Sequence, residues 1–425
     1  MATCTQCGYR TGRWMGFCPQ CRATGTIEAS QDTSLEPVRL DRIENLPEER
    51  LSTGISEFDR VFGGGVVPGS ATLLAGEPGV GKSTLVLCAA SAFDAETLIV
   101  SGEESIDQIK MRARRIGAIS NDVSLVAARD VDQIVSLIGS STYGVAVVDS
   151  IQTVAVPDAM AGSPSQVREA AAELVAAAKG SGTALILTGH VTKDGGIAGP
   201  KLLEHMVDVV LTIEGDPNRG LRFLRCVKNR HGSVDEVGIF DMTRTGLVPI
   251  PDASAALIAG RDPGAPGSVL FPTIDGRRSL LVEIQSLVVP SASPQPRRSV
   301  KGLPTARVHK VLAALERHAD LHLGSHEVYV SAMGGLRVVE PAADLAVALA
   351  LASAATGVPI ADVAAWGEVG LTGELRAVPN AARRTAEAER VGIGGVIDGS
   401  AFSHLLDAMV ESGLAAATVA SRSAT

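Results

Sequence analysis

An α/β fold built around a largely parallel sheet is the architecture the sequence predicts, and three observations predict it. Short apolar runs alternate with helical patterns from Leu51 to about Ile250. One of these runs leads directly into a glycine-rich turn, and another ends on an aspartate. Alternation of this kind implies parallel strands joined by crossover helices.

The predicted strands are Ala71 to Leu74, Thr97 to Val100, Val123 to Ala127, Val145 to Val148, Ala184 to Leu187 and Val209 to Ile213. Around Pro251 to Pro266 the composition shifts to Pro, Gly, Ala and Asp, with no strand or helix pattern across it, which marks a domain boundary. Beyond it lies a second α/β domain. Its strand candidates are Leu280 to Val289 and Glu327 to Val330, and its helix candidates are Thr305 to His318, Ala342 to Ala355 and Ala381 to Val391. The expected plan is a Cys-rich module over 1–30, a polar linker over 31–50, a first α/β domain over 51–253 and the second α/β domain over 254–425.

A chain of 425 residues with 45% hydrophobic composition is long enough for several cores. No apolar run reaches the ~18 residues a membrane span needs, so no membrane role and a cytoplasmic location are expected. The net charge of -9 argues against indiscriminate coating of nucleic acid but leaves a local basic channel open. Four of the six cysteines fall within the first 21 residues, which is not the distribution of a disulfide framework.

The turn is Gly76-Glu77-Pro78-Gly79-Val80-Gly81-Lys82-Ser83, a GxxxxGK[ST] phosphate-binding loop between the strand Ala71 to Leu74 and a helical run from Thr84 to Ala90. Its glycines let backbone N–H groups close around phosphate oxygens, and the helix N-terminus adds a favourable dipole. Lys82 is expected to reach the β- and γ-phosphates of ATP, Ser83 to ligate Mg2+, and Thr84 to sit near the α-phosphate. Asp149, ending Val145 to Val148, is placed to hold the magnesium and its waters. Hydrolysis also needs a group to orient or deprotonate water. Glu103 in Ser101-Gly102-Glu103-Glu104 is favoured, with Glu104 its competitor because one residue of register decides between them.

Cys4-x2-Cys7-x10-Cys18-x2-Cys21 supplies two pairs of thiolates, and four sulfurs suit a tetrahedral structural Zn2+ with no open position. Gly8 and Gly16 favour tight turns there, and Arg10, Arg13 and Arg22 make the module basic.

Together these motifs make the chain resemble the RadA/Sms family of bacterial DNA-repair ATPases, RecA relatives with a zinc finger in front and a Lon-protease-like domain behind. Lys228-Asn229-Arg230-His231-Gly232 is similar to that family's KNRFG motif, with His231 in place of Phe. The resemblance implies that Lys228 and Arg230 act on a neighbouring subunit's γ-phosphate, as arginine fingers do, and so implies a homo-oligomer, a hexameric ring. It also implies that His190 in Thr188-Gly189-His190-Val191-Thr192-Lys193 senses the γ-phosphate. The loops Val154 to Gln166 and Asp194 to Lys201 would face DNA, flanked by Arg168, Lys193 and Lys201. Only 3% of residues are aromatic and none lies in these loops, so backbone tracking is expected rather than base stacking.

Residues from about 267 resemble the Lon proteolytic domain, but Ala342 stands at the family's serine position and Arg384 at its lysine position. Alanine offers no nucleophile, and a guanidinium stays protonated and cannot act as base. The function implied is a DNA-dependent ATPase of recombinational repair, translocating on single-stranded and branched DNA to promote strand exchange and branch migration, with the RecA recombinase as partner. Two rival readings are a nucleotide-switched binding module and an ATP-dependent protease.

Overall fold

The structure is a computed structural model that describes residues 2–7, 9–11, 16–29, 39, 49–157, 159–160, 162–190, 203–215, 220–360 and 362–414. The chain divides into two compact units, Met1–Glu49 and Arg50–Thr425. In the first, strands β1 (Ala2–Cys4), β2 (Arg10–Thr11) and β3 (Ile27–Ala29) form a small antiparallel sheet in the order β2-β1-β3.

The second unit opens with helix α1 (Ser56–Phe62), strand β4 (Ala71–Gly76), helix α2 (Lys82–Ala90), β5 (Thr97–Ser101), α3 (Ile106–Ile116) and β6 (Val123–Ala127). It continues with α4 (Val131–Gly139), β7 (Val145–Asp149), α5 (Pro164–Ser181), β8 (Ala184–His190), β9 (Val209–Glu214), β10 (Leu221–Asn229), β11 (Val237–Thr243) and β12 (Gly246–Pro249). These strands make one nine-stranded sheet, β12-β11-β10-β9-β4-β8-β7-β5-β6. The six strands from β9 to β6 are parallel, and β10 to β12 extend the sheet as an antiparallel wing.

Burial on both faces explains the unbroken apolar runs of the parallel strands. Successive residues point to opposite sides, so Leu74, Val147 and Ile186 pack with Phe58, Phe62, Leu85 and Ile109 from α1, α2 and α3. Leu73, Val148 and Leu187 pack instead with Ile134, Ile138, Val167 and Leu174 from α4 and α5. N-terminal caps start the helices just past the sheet. Ser105 and Gln108 form a capping box on α3, Asp130 caps α4, and Ser163 caps α5 with Pro164 in its first turn. Because α5 starts at Pro164, the expected loop Val154 to Gln166 is shorter than the sequence suggested. Gln166 is buried in the helix, and its side-chain amide donates to the Val154 carbonyl.

The stretch read as patternless, Pro251 to Pro266, contains helix α6 (Ala253–Ile258), capped by the Asp252 carboxylate accepting from Ala255 N at 3.1 Å. Beyond it come β13 (Ser268–Asp275), β14 (Arg278–Pro290), β15 (Arg298–Lys301), α7 (Thr305–His318), β16 (His326–Ala332), α8 (Asp344–Thr356) and β17 (Val363–Trp366). The short pair β18 (Glu368–Val369) and β19 (Leu375–Arg376) follows, then α9 (Ala381–Val391), β20 (Gly395–Asp398) and α10 (Leu405–Glu411). The second large sheet runs β15-β16-β14-β13-β17-β20. Helix α8 is apolar all round and buried from Asp344 to Ser353, as a central core helix should be.

One apolar cluster joins the two sheets, since Phe223, Val237 and Ile239 of the first pack with Leu280 and Val282 of the second. A polar clamp reinforces it: Arg278 reaches the fully buried Glu57 carboxylate, which also accepts from Ile239 N at 2.9 Å.

Arg384 is 2% exposed and lies 5.4 Å over the Phe271 ring, with its guanidinium bonded to Glu340 and to the Pro272 carbonyl. The other Glu340 oxygen accepts from Thr273 Oγ1 at 2.7 Å and Ile274 N at 3.0 Å. Both ions are therefore satisfied, and removing Arg384 leaves the Glu340 carboxylate, only 22% exposed, without its cation. Arg384→Ala is expected to destabilise this domain by roughly 3–5 kcal/mol, read from the urea unfolding midpoint. An unchanged midpoint would mean that the pair contributes nothing.

Candidate functional site

The glycine-rich loop leaves the C-terminal end of β4 and enters α2 at Lys82. Two of its glycines are required by space and backbone. A Cβ on Gly76 would sit 2.7 Å from the Ile213 carbonyl, and Gly81 has φ +118° with Met242 Cε 2.5 Å from where a Cβ would lie. Leu85 N is the first in α2 to find a carbonyl four residues back, that of Gly81 at 2.9 Å, so the N–H groups of Lys82, Ser83 and Thr84 are left for a phosphate.

Lys82 is buried, and its ammonium donates to the Gly76 carbonyl at 2.8 Å, the Glu77 carbonyl at 3.0 Å and His190 Nδ1 at 3.1 Å. Burial pushes this ammonium below the ordinary lysine value, while the carboxylates of Asp149 and Glu103 pull it back up. An ammonium only donates, so Nδ1 of His190 accepts and Nε2 carries the proton. That Nε2 lies 3.7 Å from Glu103 Oε1.

Strand register brings these groups to one edge. Gly76 is level with His190 across β4 and β8, and Ser101 is level with Asp149 across β5 and β7. Asp149 accepts a hydrogen bond from Thr188 Oγ1. Ser83 and Asp149 line the same small cavity, so a hydroxyl and a carboxylate are available together for a hard cation such as Mg2+.

The two adjacent glutamates part company. Glu104 pairs with Arg112, and its backbone N–H donates to Ser101 Oγ at 3.0 Å. Glu103 lies beside His190 and accepts from Ser150 Oγ at 2.7 Å, whereas Glu104 lines the small cavity with Ser83 and Asp149. Ser150, Thr188 and a cavity of about 490 Å3 beside Thr84, lined by Arg115, Met242 and Arg244, were not found by sequence reasoning. No local pattern signals such partners, which lie dozens of residues away in the chain.

Lys228 and Arg230 stand elsewhere. On β10, Asn229 is level with Val209 of β9 and hence with Thr72 of β4, four residues before Gly76. That is roughly 13 Å along the strands and two strands across from the loop, beyond the reach of either side chain. A register shift between Cys226 and Lys228 re-aims the strand end. The Lys228 ammonium donates to the carbonyls of Glu204 and Val207, the latter at 2.7 Å; burial, and then the nearby Arg230, push it below the ordinary lysine value. Arg230 is 54% exposed and pairs with Asp208 at 3.3 Å. Asp208 in turn accepts from Ala71 N at 3.0 Å, at the start of β4. Asn229 Oδ1 accepts from His231 N at 2.8 Å, closing the turn that leads to Gly232. Arg168 is exposed on α5, whereas Lys193 and Lys201 lie outside the described residues.

In the first unit the Sγ atoms of Cys4, Cys7, Cys18 and Cys21 all lie within 4.8 Å of one another. The Cys4–Cys21 and Cys7–Cys18 separations are 3.7 Å and 3.5 Å. A tetrahedron of sulfurs at ~2.3 Å from zinc has edges of about 3.8 Å, so the four thiols fit a zinc ion without rearrangement. Thr26 Oγ1 is 3.2 Å from Cys4 Sγ, an outer partner for the ligand set.

A phosphate loop, a strand-end aspartate and an apical glutamate on a parallel sheet with an antiparallel wing define a RecA-like P-loop ATPase core, here preceded by a four-cysteine ribbon. Residues 51–126 match the family described as KaiC, and residues 3–29 match the rubredoxin metal binding domain. DNA repair protein RadA of Mycobacterium tuberculosis is 43% identical over 410 residues, covering 92% of this chain and 85% of its own. Its counterpart in Streptococcus pyogenes is 42% identical over 407 residues, at 92% and 90% coverage. That of Brucella abortus is 41% identical over 418 residues, at 92% and 89%. The chain belongs to the RadA family of DNA repair proteins. Among solved structures, that of the RadB recombinase is similar with a TM-score of 0.37 and 22% identity, over 47% of this chain and 99% of that one. Among the described residues no helix is long and apolar enough to cross a membrane.

Proposed function

We propose that this chain is a DNA-stimulated ATPase that assembles head to tail into a ring, a hexamer, and moves on single-stranded or branched DNA to extend strand exchange and branch migration. The observation that carries this reading is the separation of two half-sites, one at the end of β4 and the other level with its start. Gly76 to Thr84, Asp149 and Glu103 form one half, and Lys228 and Arg230 form the other, too far away to serve the same nucleotide. A subunit that presents cations at one end of its strands and phosphates at the other completes its site only against a neighbour, and head-to-tail repetition makes a ring where the rotation between subunits closes.

In this reading Lys82 holds the β- and γ-phosphates, Ser83 and Asp149 hold Mg2+, and Glu103 orients the attacking water. His190, bonded to Lys82 and close to Glu103, registers the γ-phosphate, and the cavity beside Thr84 takes the base. Lys228 and Arg230 stabilise the charge that develops on the neighbour's γ-phosphate. Zinc fills the four-cysteine ribbon as a structural ion. Arg168, Lys193 and Lys201 contact DNA phosphates. The domain after about residue 254 serves assembly as a Lon-like scaffold and not as a peptidase, because Ala342 and Arg384 occupy the nucleophile and base positions and Arg384 is spent on Glu340. A cytoplasmic location and cooperation with the RecA recombinase complete this reading.

Phosphate release measured with and without single-stranded DNA tests the reading. Turnover stimulated several-fold by DNA is expected, with the salt sensitivity of phosphate contacts. Turnover indifferent to DNA would favour a nucleotide-switched binding module instead.

A further inference from the structure

We infer that Ser150 is the positioning residue that selects Glu103, rather than Glu104, as the carboxylate acting on water. The inference rests on the reading of Glu103 as the catalytic carboxylate. Ser150 is 1% exposed and follows Asp149 directly, so its place is fixed by the strand that carries the metal ligand. Its Oγ donates to Glu103 Oε1 at 2.7 Å, and among the described residues Oε2 has no hydrogen-bond partner and is available to a water.

The segment carrying Glu103 is stitched to the end of β7 independently of that bond. Gly102 N donates to the Asp149 carbonyl at 3.0 Å, and Thr153 Oγ1 donates to the Ser150 carbonyl at 2.7 Å. A Cβ on Gly102 would fall 1.9 Å from Thr153 Oγ1, so only glycine lets the two turns approach this closely. Arg129 Nε closes the far side by donating to the Gly102 carbonyl at 2.7 Å. With the backbone held, the remaining freedom is the rotation of a long, half-exposed glutamate side chain, 50% accessible. Ser150 is its one short hydrogen-bond partner among the described residues, and the bond turns Glu103 toward His190 and the phosphate loop. Glu104, which lines the small cavity with Ser83 and Asp149, is instead neutralised by its pairing with Arg112. The selection is thus made by a hydroxyl on the metal-binding strand, which ties the aim of the water-activating group to the position of the magnesium ligand.

Near-attack alignment lost by about 1 Å costs on the order of 100-fold in rate. Ser150→Ala in the full chain is therefore expected to lower kcat for ATP hydrolysis roughly 10- to 100-fold, with KM and the affinity for a fluorescent ATP analogue unchanged. Ser150→Thr, which keeps the hydroxyl, should return most of the rate. In the Glu103→Gln background, which should itself be nearly inactive, adding Ser150→Ala should lower the residual rate no further, because the residue acts only through Glu103. An inactive Glu103→Gln beside a Ser150→Ala enzyme with normal kcat would overturn the proposal while leaving the role of Glu103 intact. An active Glu103→Gln would overturn the reading of Glu103 and the proposal with it. Loss of nucleotide affinity in Ser150→Ala would assign the residue to structure and equally overturn the inference.

Discussion

Lys82→Ala is expected to abolish ATP turnover, with kcat falling by at least two to three orders of magnitude. Loss of a single preorganised donor to a developing anion costs about 100- to 1,000-fold in other enzymes, and Lys82 is a full charge in a partly desolvated site. The geometry shows how well it is kept ready: two loop carbonyls and His190 hold its ammonium at 2.8, 3.0 and 3.1 Å. Burial lowers its proton affinity, and the carboxylates of Asp149 and Glu103 oppose that shift. Phosphate release and equilibrium binding of a fluorescent nucleotide would separate turnover from affinity. Retention of more than about a tenth of the turnover would place the phosphate contact on another residue.

Arg230→Ala is expected to lower DNA-stimulated turnover about 1,000-fold, the range for removal of a cationic finger supplied by a neighbour. Nucleotide binding by its own phosphate loop should be untouched, because Arg230 is two strands across and roughly 13 Å along the sheet from that loop. Lys228→Ala should act similarly, although its ammonium is also bonded to the carbonyls of Glu204 and Val207, so some of its effect will come from loosening that segment. The comparison separates roles. Among the described residues the Arg230 side chain pairs only with Asp208 and it is 54% exposed, so it can turn to a partner, whereas Lys228 must first leave its carbonyls. A normal rate in Arg230→Ala, with DNA present, would remove the neighbour from the mechanism.

How far the sequence could be read depended on whether the signal was local. The phosphate loop, the two CxxC pairs and the helix Thr305–His318 are each specified by residues a few positions apart, and each lies where the spacing put it. The parallel strands were legible because burial on both faces leaves continuous apolar runs. The antiparallel wing was not. Strand β10 mixes Arg222, Arg225 and Lys228 with its apolar residues because those cations reach across to Val80, Asp275 and Glu204, partners that no pattern announces. Helix α6 was hidden between prolines, although Asp252 is a recognisable cap. The choice between Glu103 and Glu104 rested on a bond spanning 47 residues, to Ser150, and on the Glu104–Arg112 pair. Arg384 was read for what it cannot do, but its burial against Glu340 and Phe271 required the assembled sheet.

The central claim is that each ATPase site is shared between two copies of the chain. It is tested most directly by mixing two inactive variants. Lys82→Ala keeps Lys228 and Arg230, and Arg230→Ala keeps its phosphate loop, so coexpressed subunits should create intact composite sites at about one quarter of the interfaces in a randomly mixed ring. The account predicts that DNA-stimulated ATP hydrolysis, absent from each variant alone, returns to a comparable fraction of the parent rate in the mixture. A mixture as inactive as its two components, with assembly verified, would contradict it.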